Sequence, residues 1–230
     1  MLSHPIVTTD TKTFLAKAAG LPVIDQFVTV TGLANVVATA FRYQKDEEIF
    51  GEDEPTEYVY QVVCGAVRTY KLLSDGRRQI ASFCLPGDIF GLEHGPHHRV
   101  TAEAICATEV RLIQRRSIEN AARTNVQVAR ILWNVTSGEL RHAEDHMLLL
   151  GCKTAMERVA AFLLEMDRRL AAASMVALPM CRRDIGDYLG LTLETVSRAL
   201  SQLHDQGVLT FSGARQIVIR NRQRLRDINA

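Results

Sequence analysis

The hydrophobic period of this chain changes once, near Arg116, and that change constrains the fold more than any other feature. From about Asn35 to Arg115 the pattern is one of short alternating runs separated by Gly, Pro, Asp and Ser. Tyr58, Tyr60, Val62, Val63 to Val67 and Tyr70 lie on such runs, Leu73-Ser74-Asp75-Gly76-Arg77 reads as a hairpin turn, and Gln79 to Leu85 resumes a strand before Pro86-Gly87-Asp88. Short strands at this spacing predict a β-sandwich or jelly roll, with a single hairpin-rich α+β domain as the alternative. After Arg116 the pattern is helical: Ser117 to Leu150 contains no proline and one glycine, Gly138. Within it Val126, Ala129, Trp133, Thr136, Leu140, Ala143, Met147 and Leu150 recur at alternating steps of three and four, the seam of a coiled coil. A helix with such a stripe needs cover, and the same helix of a second chain supplies it economically; the other solution is packing on the β-domain of its own chain. Gly151 is expected to break the helix, and another runs from about Thr154 to Ala173.

The 230 residues suffice for two modest domains, each with a core. Hydrophobic residues form 47% and charged residues 23% of the chain, which excludes disorder. Apolar stretches such as Met147 to Leu150 and Val159 to Leu164 are too short to cross a bilayer, and no basic region followed by an apolar one opens the sequence. A cytoplasmic location away from membranes is therefore expected. The five cysteines, Cys64, Cys84, Cys106, Cys152 and Cys181, show no CxxC spacing, so reduced thiols are expected rather than a disulfide framework or a metal cluster. Net charge is +1, but arginines outnumber acids from Cys181 onward, as suits a DNA-facing module.

The densest local pattern runs from Arg183 to Leu200 and reads as two short helices around a glycine corner. The first, from about Arg182 to Leu189, buries Ile185, Tyr188 and Leu189; Gly190 turns the chain; Thr192 caps a second helix reaching about Gln206. Val196, Leu200 and Leu203 form its buried face, leaving Leu193, Glu194, Ser197 and Arg198 outward near its N-terminus. Arginine can bond guanine bidentately, glutamate can accept from a cytosine amino group, and leucine can meet a thymine methyl. Arg182, Arg183, Thr192 and Arg215 are candidates for phosphate contacts. Gly207 to Phe211 and Gln216 to Ile219, joined through Ser212-Gly213-Ala214-Arg215, form a hairpin that reads as a wing.

With these residues in place, the segment resembles the DNA-binding domain of the CRP/FNR superfamily, whose FNR-type E-x-x-S-R signature stands here as Glu194, Ser197 and Arg198. The resemblance continues through Gly138-Glu139-Leu140, Met147 to Leu150 and Arg158 to Leu164, and Tyr58 to Tyr70 with Pro86-Gly87-Asp88 resemble strands of the cyclic-nucleotide-binding jelly roll. It implies an α+β chain with an N-terminal arm or lead-in helix (1–34), a β jelly-roll sensor-like domain (35–116), a long dimerisation helix (117–150) and a winged helix-turn-helix DNA-binding domain (151–230). It also implies a homodimer that binds double-stranded promoter DNA at a TTGAT-N4-ATCAA box and recruits RNA polymerase.

The effector expectations follow residue by residue. Of the family's cAMP cassette, Arg99 remains, but Val100 replaces the serine and the glutamate is displaced. The iron-sulfur ligands of FNR are missing, since no cysteine precedes Cys64. His94, His97 and His98 read as a polar surface loop rather than a metal or haem site, and His142 and His146 as flanking the dimer seam. The resemblance that remains is to FixK-like activators of microaerobic and nitrogen-fixation genes, with no cofactor; a regulator gated by haem or another small molecule is the alternative. Cys181, beside Arg182 and Arg183 at a helix N-terminus, is a candidate redox-regulatory thiol or an inert cap. No nucleophile-base pair or phosphate-binding loop stands out, so no catalysis is expected.

Overall fold

The structure, a computed structural model, describes residues 39–93, 95–170 and 175–229. The expected arm at 1–34 and His94 lie outside these residues. Eight strands form the N-terminal domain: β1 (Thr39–Tyr43), β2 (Glu48–Phe50), β3 (Tyr58–Cys64), β4 (Val67–Leu72), β5 (Arg78–Cys84), β6 (Ile89–Phe90), β7 (Thr101–Ala104) and β8 (Thr108–Gln114). They pair antiparallel in two four-stranded sheets of order β1-β8-β3-β6 and β2-β7-β4-β5. Alternation along β3 explains the layering. Tyr60 and Val62 point between the sheets, packing with Phe50, Val67, Cys84, Phe90 and Val110, while Val59 points outward to Ile113, Ile118 and Val128. The β4–β5 hairpin closes through Leu73 N–H to the Arg77 carbonyl at 2.8 Å, and Gly76 takes the φ of 84° that this turn requires.

The helix expected over 117–150 is two helices, α1 (Arg115–Thr124) and α2 (Val126–Cys152). The break falls at Asn125, whose extended backbone and side-chain Oδ1, accepting from Gln127 N–H at 2.9 Å, cap the longer helix. Gly151 does not end α2, which runs to Cys152. α2 has two apolar faces. Val128 is buried, and Ile131 and Leu132 pack with it on the outer face of the first sheet.

The C-terminal domain comprises α3 (Ala155–Leu170), β9 (Met175–Ala177), α4 (Arg182–Leu189), α5 (Leu193–Asp205), β10 (Leu209–Gly213), β11 (Gln216–Ile219) and α6 (Arg222–Asn229). α3 opens with a capping box: Glu157 Oε2 accepts from Thr154 N–H at 2.6 Å and Thr154 Oγ1 from Glu157 N–H at 3.5 Å. The wing hairpin β10–β11 gains a third strand, β9, and α6 packs on α3 with Leu225 buried. Neither β9 nor α6 stands out in the sequence. The two domains do not keep separate cores either: Ile80, Phe83 and Leu85 join one buried cluster with Phe162, Tyr188 and Leu203, with Phe83 and Tyr188 ring centroids 5.1 Å apart. Among the described residues no helix is long and apolar enough to cross a membrane.

Candidate DNA interface

Helix α4 ends where Gly190 adopts φ 62° and ψ 39°, a left-handed corner that a side chain disfavours. The corner is tight, since a Cβ on Gly186 would stand 2.6 Å from the Leu191 carbonyl oxygen. Thr192 then caps α5, its Oγ1 accepting from Thr195 N–H at 3.2 Å. Val196, Ala199, Leu200 and Leu203 bury one face of α5 against α3 and α4. The opposite face stands free at its N-terminal end, where Leu193, Glu194 and Arg198 are exposed and Ser197 is half-buried. Ser201 and Gln202 continue this exposed face one turn further. Glu194 is held ionised: hydrogen bonding to its own backbone N–H and to the Thr192 side chain lowers its carboxyl below the usual range, as do Arg198 and Arg183 nearby. An ionised glutamate and a guanidinium side by side at the tip of an uncovered helix suit the cytosine amino group and the guanine edge.

The phosphate candidates fall in different places. Arg183 and Thr192 are exposed beside this tip. Arg182 turns inward, donating to Ser197 Oγ at 3.3 Å and lying 5.5 Å over the Phe211 ring, so it ties α4, α5 and the wing together. Arg215, exposed at the wing turn, donates to the Pro179 carbonyl at 2.9 Å. Cys181 is the N-cap of α4, and its thiol donates to Asp184 Oδ2 at 3.1 Å. A carboxylate, not a guanidinium, is therefore the thiol's partner. The arginines expected to activate it are engaged elsewhere or exposed.

Of the candidate dimer residues, Val126, Trp133, Leu140 and Met147 are 73, 74, 60 and 65% exposed. Ala129, Thr136 and Ala143 are exposed too, while Leu150 is half-buried. Val126, Ala129 and Trp133 do not pack on the β-domain of their own chain, whose facing side is taken by Val128, Ile131 and Leu132, while Thr136, Ala143, Met147 and Leu150 border a groove against it. His142 and His146 immediately precede the stripe residues Ala143 and Met147. They turn to α4, where His146 stacks on Tyr188 at 4.2 Å and Tyr188 Oη lies 3.4 Å from His142 Nε2. The β-domain histidines separate as well. His97 is exposed, but His98 is buried, stacked on Phe50 at 3.6 Å and held to Glu93 Oε2 at 3.0 Å through Nδ1. A polar surface loop thus describes His97 and not His98. No cluster of three metal-ligating side chains occurs among the described residues.

A groove of about 830 Å³ lies between the β4–β5 and β6 region and α2. Its apolar lining includes Ile80, Ile89, Phe90 and Met147, and its charged side chains among the described residues are Glu93 and Glu139. Arg99 is exposed outside it. A cyclic nucleotide brings an anionic phosphodiester, which needs a cation or a convergent set of donors when taken from water. Two carboxylates do the opposite, so the groove does not fit that ligand.

A β-roll followed by a long helix with a free apolar stripe and a winged helix-turn-helix defines a transcription regulator of the two-domain CRP-like class. Comparison with known proteins agrees with this architecture: residues 157–228 match the Crp-like helix-turn-helix domain and residues 40–125 the cyclic nucleotide-binding domain. The chain is 43% identical to the nitrogen fixation regulation protein FixK of Azorhizobium caulinodans, over 86% of this chain and 83% of that protein. It is 34% identical to the transcriptional activator FnrA of Stutzerimonas stutzeri, over 84% and 82%. Among solved structures it is similar to FixK2 from Bradyrhizobium japonicum, with 77% identity, TM-score 0.83, and coverage of 84% of this chain and 98% of that one. The chain belongs to the FixK-like branch of the CRP/FNR superfamily, and it is a DNA-binding transcription activator of the FixK/FNR type.

Proposed function

We propose that two copies of this chain pair through the α2 stripe and bind, in the cytoplasm, a palindromic TTGAT-N4-ATCAA box, recruiting RNA polymerase to microaerobic or nitrogen-fixation genes without a cofactor and without catalysis of their own. One observation carries the reading: the seam from Val126 to Met147 is uncovered in the single chain while the opposite face of the same helix is packed. Two reading heads on one dimer axis match two half-sites about one helical turn apart. Leu193, Glu194, Ser197 and Arg198 read bases, and Arg183 and Thr192, with Arg182 and Arg215 released from their internal partners, meet phosphates. The test is a mobility-shift titration on the symmetric box and on a single half-site, with stoichiometry read by light scattering. Two chains per box and weak half-site binding are expected; one chain per box refutes the pairing.

Cys181 fits a redox brake by a route through Asp184. Oxidation to sulfinate places a negative charge where the thiol now donates to a carboxylate, and the N-terminus of α4 must rearrange. Peroxide is expected to abolish box binding by the unsubstituted chain and spare Cys181→Ser; equal loss in both refutes the brake. The groove beside α2 favours a second reading, control by an uncharged small molecule, with haem as the form an absorption spectrum would reveal. An absorption spectrum of the purified protein and binding titrations in the presence of the box separate the two.

A further inference from the structure

Besides the shared apolar core, the His146–Tyr188 stack and Arg169, which donates to the Phe83 carbonyl and to Asp88, the reading head meets the rest of the chain along two polar lines. The first is the elbow between α2 and α3, where Arg158 donates to the carbonyls of Leu150 at 2.8 Å, Lys153 at 2.9 Å and Leu189 at 3.0 Å. The second is a charge cluster between α4 and the β4–β5 hairpin. Arg78 donates through Nη2 to Asp184 Oδ1 at 2.6 Å and to Asp187 Oδ2 at 2.7 Å, and through Nε to Asp187 at 2.9 Å. Arg68 donates through Nη1 to both Asp184 oxygens, at 3.3 and 3.4 Å, and through Nη2 to Asp46 and Glu103. Tyr70 bonds Glu103 at 3.1 Å and carries the Arg78 guanidinium over its ring at 5.4 Å, and Gln79 Nε2 donates to the Tyr188 carbonyl at 3.2 Å. Asp184 is 4% exposed and Arg68 10%. Charges so withdrawn from water hold their geometry, because separating them leaves each unpaired.

We propose that this clamp of Arg68 and Arg78 on Asp184 and Asp187 fixes the half-site spacing that the dimer accepts. Apolar contacts are non-directional and let packed surfaces slide and turn on the elbow; paired buried charges add a directional restraint at a separate place. α4 and α5 turn as one piece, since the backbone approach at Gly186 leaves no play between them. The direction of the recognition helix relative to the α2 seam is thus set by the hairpin clamp. Adding or removing one base pair shifts a half-site by about 3.4 Å and rotates it by roughly 35°. A clamped head resists that displacement, whereas a head held by the elbow and the apolar contacts yields to it more readily. These four residues act through the orientation of the helix and are positioning residues.

The proposal rests on the two-headed reading above, and the experiment separates the two. Full-length protein is titrated by fluorescence anisotropy on boxes with spacers of three, four and five bases and on a half-site, and the ratio of affinities is compared among variants. The unsubstituted chain is expected to prefer the four-base spacer by at least about tenfold. Arg78→Ala is expected to reduce that ratio at least about fivefold while still binding, and Arg78→Lys, which keeps the charge but not the fork, to fall between. Arg198→Ala should lower affinity for every spacer and leave the ratio intact. A ratio unchanged in Arg78→Ala and in Asp187→Asn overturns the clamp. No spacer preference in the unsubstituted chain overturns the two-headed reading and the clamp with it. Because each ratio is internal to one protein preparation, a partly folded variant does not mimic the result.

Discussion

Trp133→Ala tests the pairing surface most directly. In the single chain this indole is 74% exposed at the middle of the α2 seam. A tryptophan offers on the order of 200 Å² for burial, so covering Trp133 removes roughly 150 Å² from water in each protomer. At ~25 cal/mol/Å² this is worth about 4 kcal/mol, an upper figure because the alanine methyl and partial closure of the seam recover part of it. Taking half, and counting both copies, truncation costs the dimer about 4 kcal/mol, or roughly a thousandfold in the dimerisation constant. Sedimentation equilibrium across a concentration series reads this shift, and box affinity at low protein concentration should fall with it. Asp145→Ala, on the same helix but off the stripe, is the comparison and should leave the constant unchanged. A weakening below about tenfold in Trp133→Ala, or an equal weakening in Asp145→Ala, refutes the assignment of the seam.

Arg198→Ala is expected to cost about 1–3 kcal/mol at the cognate box and to relax discrimination at one base position, measured by competition with single-base variants of the box. In Gly186→Ala the new methyl meets a backbone carbonyl oxygen at 2.6 Å, and overpacking of about 1–3 kcal/mol outweighs the helix-propensity gain of about 1 kcal/mol; a lowered thermal midpoint is expected, and an unchanged one refutes the tight corner. Burial, and then the charge of His142, lower the His146 pKa from its ordinary 6.5, with Glu165 opposing them and the Tyr188 ring stacked on the imidazole. The unfolded chain therefore binds the extra proton first as pH falls, so this residue's cost to the fold is absent well above 6.5 and grows as pH drops below it. Chemical denaturation at a series of pH values should show this slope reduced in His146→Phe; an undiminished slope refutes the assignment.

The parts of the fold legible in the sequence are those encoded within a few residues. The glycine at 190, the Thr192 cap and the apolar spacing through Val196, Leu200 and Leu203 place α4 and α5 without reference to anything distant. The break before α2 is also written locally, in an asparagine preceding an apolar run, but the stretch without proline or glycine on either side masks it. His98 gave no local sign of burial. Its pocket is built by Phe50 and Glu93, brought to it by strand pairing, and a histidine between a histidine and an arginine has the composition of a surface loop.

What the head reads and where the head points are thus encoded at different ranges. Glu194, Ser197 and Arg198 owe their presentation to one helix, so a short motif suffices to find them. The contacts that orient that helix join Arg68 to Asp184 across 116 residues and Arg78 to Asp187 across 109. In a strand pattern the arginines read as solvated outward positions, and on α4 the aspartates read as ordinary first-turn and surface acids. Only antiparallel pairing of β4 with β5, and docking of that hairpin on α4, turns four unremarkable charges into a fixed joint. Changes there can retune which spacings a regulator accepts while leaving its base-reading motif untouched, so relatives with the same E-x-x-S-R signature need not bind boxes of the same geometry.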